Sequence, residues 1–226
     1  MAESQSPRDG KVRILVVDDH PVVRQGLVIA LSRTADMSVS GEAASLPEAM
    51  AAIRKEEPSI VLSDLDLEGA SGIDLIKQVR EELPALPVLI LSMHDEELYA
   101  ERVLRAGARG YLMKSEDPEK VVAGIRAVLA GEVVLSAKMR NKILGGMAGG
   151  KGAVSPVDRL TDRELEVFRL VGDGLTTRQM AEKLSLSVKT IEAHIAHIKS
   201  KLGVETGRDL QRRAFKWSTV PGAPPL

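Results

Sequence analysis

The sequence contains no cysteine, so neither a disulfide framework nor a thiolate metal site is open to it. It has no apolar run approaching the roughly 20 residues that a membrane-spanning helix needs. Its opening residues, 1–11, are polar rather than a secretory signal. A cytoplasmic protein with no membrane partner is the expectation. Net charge is nearly absent as well, at −1. That figure hides an asymmetry. Residues 151–226 carry 13 Lys/Arg against 9 Asp/Glu, which leaves residues 1–150 with 18 and 23 of the totals of 31 and 32. An acidic first part and a basic second part suggest different partners, a cation for one and a polyanion for the other. No internal repeat is present. What remains, 226 residues of ordinary hydrophobic and charged content, suits one large or two modest globular domains.

The most informative stretch is Ser59-Ile-Val-Leu-Ser-Asp-Leu-Asp-Leu-Glu-Gly69. A short β-branched apolar run ending on carboxylates reads as a buried parallel strand, and open α/β sheets place their chemistry at that carboxyl end. Residues 11–19 repeat the pattern and end on Asp18-Asp19. Further strands are expected at 39–43, 87–92 and 110–114, alternating with helices opened by Pro21 and Pro118 or ended by Pro58, Gly107 and Gly131. This alternation predicts a doubly wound five-stranded parallel sheet over residues 12–131. Residues 132–157 then read as a glycine-rich flexible linker containing a short helix before the glycines.

From residue 158 the period is helical throughout. Thr161 and Glu164 have capping-box spacing, and helices follow at 176–184, 187–202 and 208–217. The tail, 218–226, holds three prolines and is expected to be disordered. The middle pair reads as a helix-turn-helix. On its longer helix Ile191, Ile195, Ile198 and Leu202 fall within about 40° of one another. The opposite face carries Lys189, Ala193, Ala196 and Ser200, flanked by Glu192 and His197. Such a small, polar face suits the major groove of DNA.

Asp18, Asp19 and Asp64 converge at neighbouring strand ends, where three carboxylates repel unless a cation is present. A hard divalent ion such as Mg²⁺ resolves this and also binds phosphate oxygens. Ser92 and Lys114 end the two remaining strands. A carboxylate nucleophile, a metal, a lysine and a hydroxyl together suit phosphoryl transfer onto Asp64. Alternatively, such aspartates only cap helices, but five residues at four strand ends make that the weaker reading.

At this point residues 12–131 resemble the receiver domain of bacterial two-component response regulators. Asp18-Asp19, Asp64, Ser92 and Lys114 stand in that family's order. The resemblance implies that Asp64 accepts a phosphoryl group from a histidine kinase. It also implies that Asp19 binds Mg²⁺ directly, Asp18 mainly through water, and Asp66 through its backbone carbonyl. Ser92 and Tyr111 match the family's switch pair, the hydroxyl turning to the phosphoryl group while the aromatic ring packs inward. Glu68 and Ser115 stand where many members have proline. Asp66 and His94, each two residues past a site residue, lie where neighbours tune hydrolysis of the acyl phosphate. A solvated loop is the plainer expectation for His94, and a structural or solvent-facing role for His20.

Residues 158–217 resemble the LuxR-type helix-turn-helix, through Leu160-Thr-x-Arg-Glu-x-Glu-Val, Gly174, Ala181, Ser187-x-Lys-Thr-Ile, His194 and Lys201-Leu-Gly. Behind a receiver this is the NarL/FixJ class. The resemblance implies that Glu192, Ala193 and Ala196 lie toward base edges of promoter DNA and that Lys189, Thr190 and Lys199 approach phosphates, with His197 also on the DNA-binding face. It further implies a homodimer when active, with Leu210, Phe215 and Trp217 on the last helix at the contact or, equally, closing the domain's own core. RNA polymerase is a further partner class. The chain is then a phosphorylation-dependent transcription regulator, with no catalysis beyond its own phosphotransfer and dephosphorylation. Two rivals remain. One is a regulator that uses the receiver only to dimerise; the other is a phosphatase, suggested by the DxD of Asp64-Leu65-Asp66.

Overall fold

The computed structural model describes residues 10–147 and 156–219. Residues 220–226 of the expected tail and 148–155 of the expected linker lie outside the described residues. The chain divides into two compact units, one reaching Arg140 and one starting at Asn141.

The first unit is built on strands β1 (Val12–Val17), β2 (Met37–Ala43) and β3 (Ile60–Ser63). A two-residue ladder, β4 (Asp66–Leu67) with β5 (Ala70–Ser71), stands outside the sheet. Strands β6 (Val88–Ser92) and β7 (Gly110–Met113) complete it. The sheet is wholly parallel, in the order β2-β1-β3-β6-β7. The alternating pattern predicts a doubly wound parallel sheet, and this order is the one that the receiver resemblance implies. Both faces are covered, which is why the strands read as unbroken apolar runs. Ile14, Val16, Ile60, Leu62, Leu89 and Leu91 pack with Leu31, Ile125 and Val128 from helices α1 (Pro21–Ser32) and α5 (Pro118–Leu129). The alternate residues Leu15, Val17, Val61 and Ile90 are also buried. Helices α2 (Leu46–Glu56), α3 (Gly72–Glu82) and α4 (Glu96–Ala106) complete the layers. At about 1.5–3 kcal/mol per buried aliphatic side chain, this core is the main favourable contribution to the unit's stability.

The receiver unit does not stop at residue 131, where the sequence pattern places its end. Val134 pairs with the edge of β7, its N–H donating to Arg109 O at 3.0 Å and its O accepting from Tyr111 N at 2.9 Å. Met139, in the first turn of helix α6 (Ala137–Met147), is 1% exposed. The glycines at 145 and 146 mask this tether, because linker composition says nothing about the few residues that precede it.

In the second unit a short 3₁₀ turn (Pro156–Arg159) leads to helices α7 (Asp162–Gly172), α8 (Thr177–Lys183), α9 (Val188–Leu202) and α10 (Gly207–Thr219). Thr161 and Glu164 form the expected capping box, Thr176 and Gln179 form a second, and Ser187 caps α9. Phe168, Leu165, Met180, Ile191, Ile198 and Leu210 fill the core. Gly172 lets α7 and α10 touch, since a Cβ there would stand 2.9 Å from the carbonyl carbon of Ala214.

Candidate functional site

Strand register brings the candidate residues together. Val17 pairs with Ser63, and Asp64 N donates to Val17 O at 2.8 Å, so Asp18 and Asp64 leave the sheet side by side. Ser92 pairs with Met113 and its carbonyl accepts from Lys114 N at 2.8 Å, which places the lysine at the same rim. Lys114 Nζ lies 2.7 Å from Asp64 Oδ2 and 2.6 Å from Asp18 Oδ2. All three side chains are at least nine-tenths buried. Asp64 Oδ1 accepts its own following amide, Leu65 N, at 2.6 Å. Beneath it Gly72 is obligatory: a Cβ would meet Asp64 O at 2.3 Å.

The electrostatics follow from burial. Desolvation pushes Asp64 up to about 6 from the ordinary 3.8, against the pull of Lys114 and with added repulsion from Asp18 and Asp66. Burial pulls Lys114 down, but its bonds to Asp18 and Asp64 outweigh that and leave it above the usual lysine value. Asp18, Asp19, His20 and Asp64 each offer a ligand atom, and these atoms all lie within 4.8 Å of one another. Asp18 Oδ2 and Asp19 Oδ1 are buried without a well-formed hydrogen bond, although Lys114 and His20 approach them. Carboxylate oxygens left this way are what a hard cation takes. The donor set therefore fits a metal ion.

His20 is a neighbour whose proximity the sequence reading missed. Its Nδ1 lies 2.5 Å from Asp19 Oδ1, while the ring remains mostly exposed. Its position directly after the paired aspartates was the available signal. His94 is not a solvated loop residue. Its Nε2 lies 2.9 Å from Asp66 Oδ2, its ring packs on Tyr99 at 5.3 Å, and its side chain is 18% exposed. Asp66 itself sits in the β4–β5 ladder. Ser92 is fully buried, and its Oγ accepts from His94 N at 3.1 Å. Tyr111 is packed inward at 1% exposure, its hydroxyl donating to His94 O at 2.7 Å. Burial drives its pKa far above the tyrosine value. Glu68 N donates to Ala44 O at 3.5 Å, so this residue is held without the expected proline.

The second unit presents α9. Lys189, Glu192, Ala193, Ala196 and His197 are exposed, while Thr190 and Lys199 are half-buried. Ile191, Ile198 and Leu202 face inward. Thr190 Oγ1 lies 2.7 Å from Ser187 Oγ at the cap. Of the three residues considered for dimerisation, Leu210 is 1% exposed within its own domain and the Trp217 ring packs tilted against Phe168 at 5.6 Å. Only Phe215, at 57%, is turned outward. The helical pattern marks all three as apolar but does not say which face α7 covers.

Two family models match the chain. Residues 14–126 match the response regulator receiver domain, and residues 158–214 match the bacterial regulatory proteins of the luxR family. The chain is 35% identical over 211 residues to oxygen regulatory protein NreC of Staphylococcus aureus (strain JH9), covering 91% of this chain and 97% of that protein. A two-component response regulator of the LuxR family from Aurantimonas sp. SI85-9A1 is 37% identical, with a TM-score of 0.57, over 62% of this chain and 99% of that one. RcsB from Salmonella enterica serovar Typhimurium, solved bound to promoter P1flhDC with the phosphomimetic BeF₃⁻, is 27% identical. Its TM-score is 0.64, over 89% of this chain and 97% of RcsB. With two family models in this order along one chain, the protein belongs to the response regulators of the NarL/FixJ class, phosphorylation-dependent transcription regulators that join a receiver to a LuxR-type DNA-binding domain.

Proposed function

We propose that Asp64 is the phosphoacceptor and that a histidine kinase is the donor. The buried Asp64–Lys114–Asp18 contact at the carboxyl edge of the sheet carries this reading. A carboxylate oxygen of Asp64 forms a bond to phosphorus, the phosphorus–nitrogen bond of the phosphohistidine breaks, and the imidazole nitrogen keeps the electron pair. Lys114 holds the acceptor carboxylate and then pairs with the new phosphoryl oxygens. Ser92 supplies a hydroxyl donor to one of them, and Tyr111 stays packed inward. Asp18, Asp19, Asp64 and the backbone carbonyl of Asp66 are the residues that would hold Mg²⁺. When bound, that ion neutralises charge on the carboxylates and the phosphoryl group. Labelling the purified protein from a phosphorylated donor and repeating it with Asp64→Ala tests the assignment; unchanged stoichiometry in the variant sinks it.

The output we assign to residues 158–217. Lys189, Thr190 and Lys199 approach DNA phosphates, while Glu192, Ala193, Ala196 and His197 face the groove. One such domain reads few base pairs, so specific binding calls for two copies on two half-sites. Phe215 is the exposed apolar residue of α10 available to that pairing. RNA polymerase is then the partner that reads the assembled promoter complex. Retention of genomic fragments with and without Mg²⁺ and beryllofluoride tests the switch. A two-half-site motif enriched only with the mimic supports it, and equal enrichment favours a receiver that serves only for dimerisation.

A further inference from the structure

Helix α6 begins with an incomplete cap. Ser136 precedes it, and Ser136 Oγ accepts from Met139 N at 3.1 Å, the first half of a capping box. The second half needs an acidic or amide side chain three residues on, to take the Ser136 N–H. That position holds Met139, and the first turn contains no acid. The missing acceptor comes from another helix. Glu96, the first residue of α4, is 9% exposed, and its Oε1 accepts from Ser136 N at 2.7 Å. Its neighbour Glu97 pairs with Lys138 in the same turn. Two carboxylates of α4 thus stand at the positive end of α6.

The same segment is tied to the strand that carries the switch tyrosine. Val134 bridges Arg109 O and Tyr111 N, and Tyr111 in turn holds the carbonyl of His94 in the loop leading to α4. A short helix with glycines near its end is marginal in isolation. Its formation therefore depends on the partners that cap it.

We propose that Glu96 and the 132–140 segment form a clamp that makes the order of α6 depend on the position of α4 and Tyr111. The inference rests on the reading of Asp64 as phosphoacceptor. The closed clamp and the buried Tyr111 occur together, and a phosphoryl group that holds Tyr111 inward also holds the clamp closed. Phosphorylation then stiffens the start of the segment that continues in sequence to the DNA-binding domain.

Amide exchange of the full-length protein, read by mass spectrometry over residues 132–144, tests this. Glu96→Ala is expected to speed exchange there about fivefold, the size of a lost helix cap. Glu96→Gln keeps an acceptor oxygen and is expected to restore most of the protection. Adding Mg²⁺ and beryllofluoride is expected to slow exchange in the wild type several-fold and to leave Glu96→Ala fast. If the mimic protects amides at Asp64, Leu65 and Lys114 while residues 132–144 stay unchanged or exchange faster, the clamp is overturned and the acceptor reading survives. If neither region responds, both are overturned. Equal exchange in Glu96→Ala and the wild type overturns the capping role by itself.

Discussion

Replacing Asp64 with asparagine should shift the stability of the metal-free receiver progressively upward, relative to the wild type, as pH rises. In the fold this carboxyl ionises at about 6 rather than 3.8, because burial penalises its charge more than Lys114 rewards it. The sign follows from linkage. A carboxyl whose pKa is raised on folding contributes most below its unfolded value, and that contribution declines as pH climbs through about 6. The gap of about 2 units corresponds to about 3 kcal/mol once the group is fully ionised, at about 1.4 kcal/mol per unit. Asparagine does not titrate. The stability difference between Asp64→Asn and the wild type should therefore grow by about 1.4 kcal/mol between about pH 5 and about pH 8. Titrating groups distant from Asp64 cancel in that difference. Urea unfolding in chelator supplies the measurement, followed by far-UV circular dichroism because the only tryptophan, Trp217, belongs to the other domain. A difference that is flat or shrinks with pH would refute burial as the dominant influence on Asp64.

Mg²⁺ at about ten times its dissociation constant should raise receiver stability by about 1.4 kcal/mol, seen as an upward shift in melting temperature, and Asp19→Ala should lose most of it. Lys189→Ala should weaken DNA binding similarly on all sequences and reduce the slope of log affinity against log salt by about one; an unchanged slope would move Lys189 off the phosphates. Leu210→Ala should cost about 2–5 kcal/mol of stability in the second domain, measured by thermal unfolding. Phe215→Ala should instead leave stability nearly intact and lower dimerisation on two-half-site DNA.

The sheet was legible because burial on both faces forces continuous apolar strands, and β1 and β3 each end on the carboxylates that mark their carboxyl edge. Asp18, Asp64 and Lys114 meet at those strand ends, since parallel register fixes which termini are neighbours. What sequence could not supply was anything decided by packing across elements. His94 reads as a solvated residue until Asp66 and Tyr99 enclose it. Leu210 and Phe215 share a helix and an apolar character, yet Leu210 is buried and Phe215 is exposed. Glu96 looks like any first-turn acid of α4, and its acceptor role for Ser136 spans 40 residues. Local spacing carries the elements and the strand-end chemistry; contacts distant in sequence decide the rest.

Gly72 bears on how a site of this kind is recognised. Its Cα lies so close under the acceptor loop that one methyl group would press on the carbonyl of Asp64. Gly72→Ala should therefore displace Asp64 and lower phosphoryl labelling, although the sequence keeps every carboxylate, the lysine and the serine. A chain carrying all five of those residues but a larger one at this position would pass for a working receiver by its motif and still label poorly. The vacancy of a side chain is thus as diagnostic of competence as the reactive groups themselves, and phosphotransfer assays on such chains would show it.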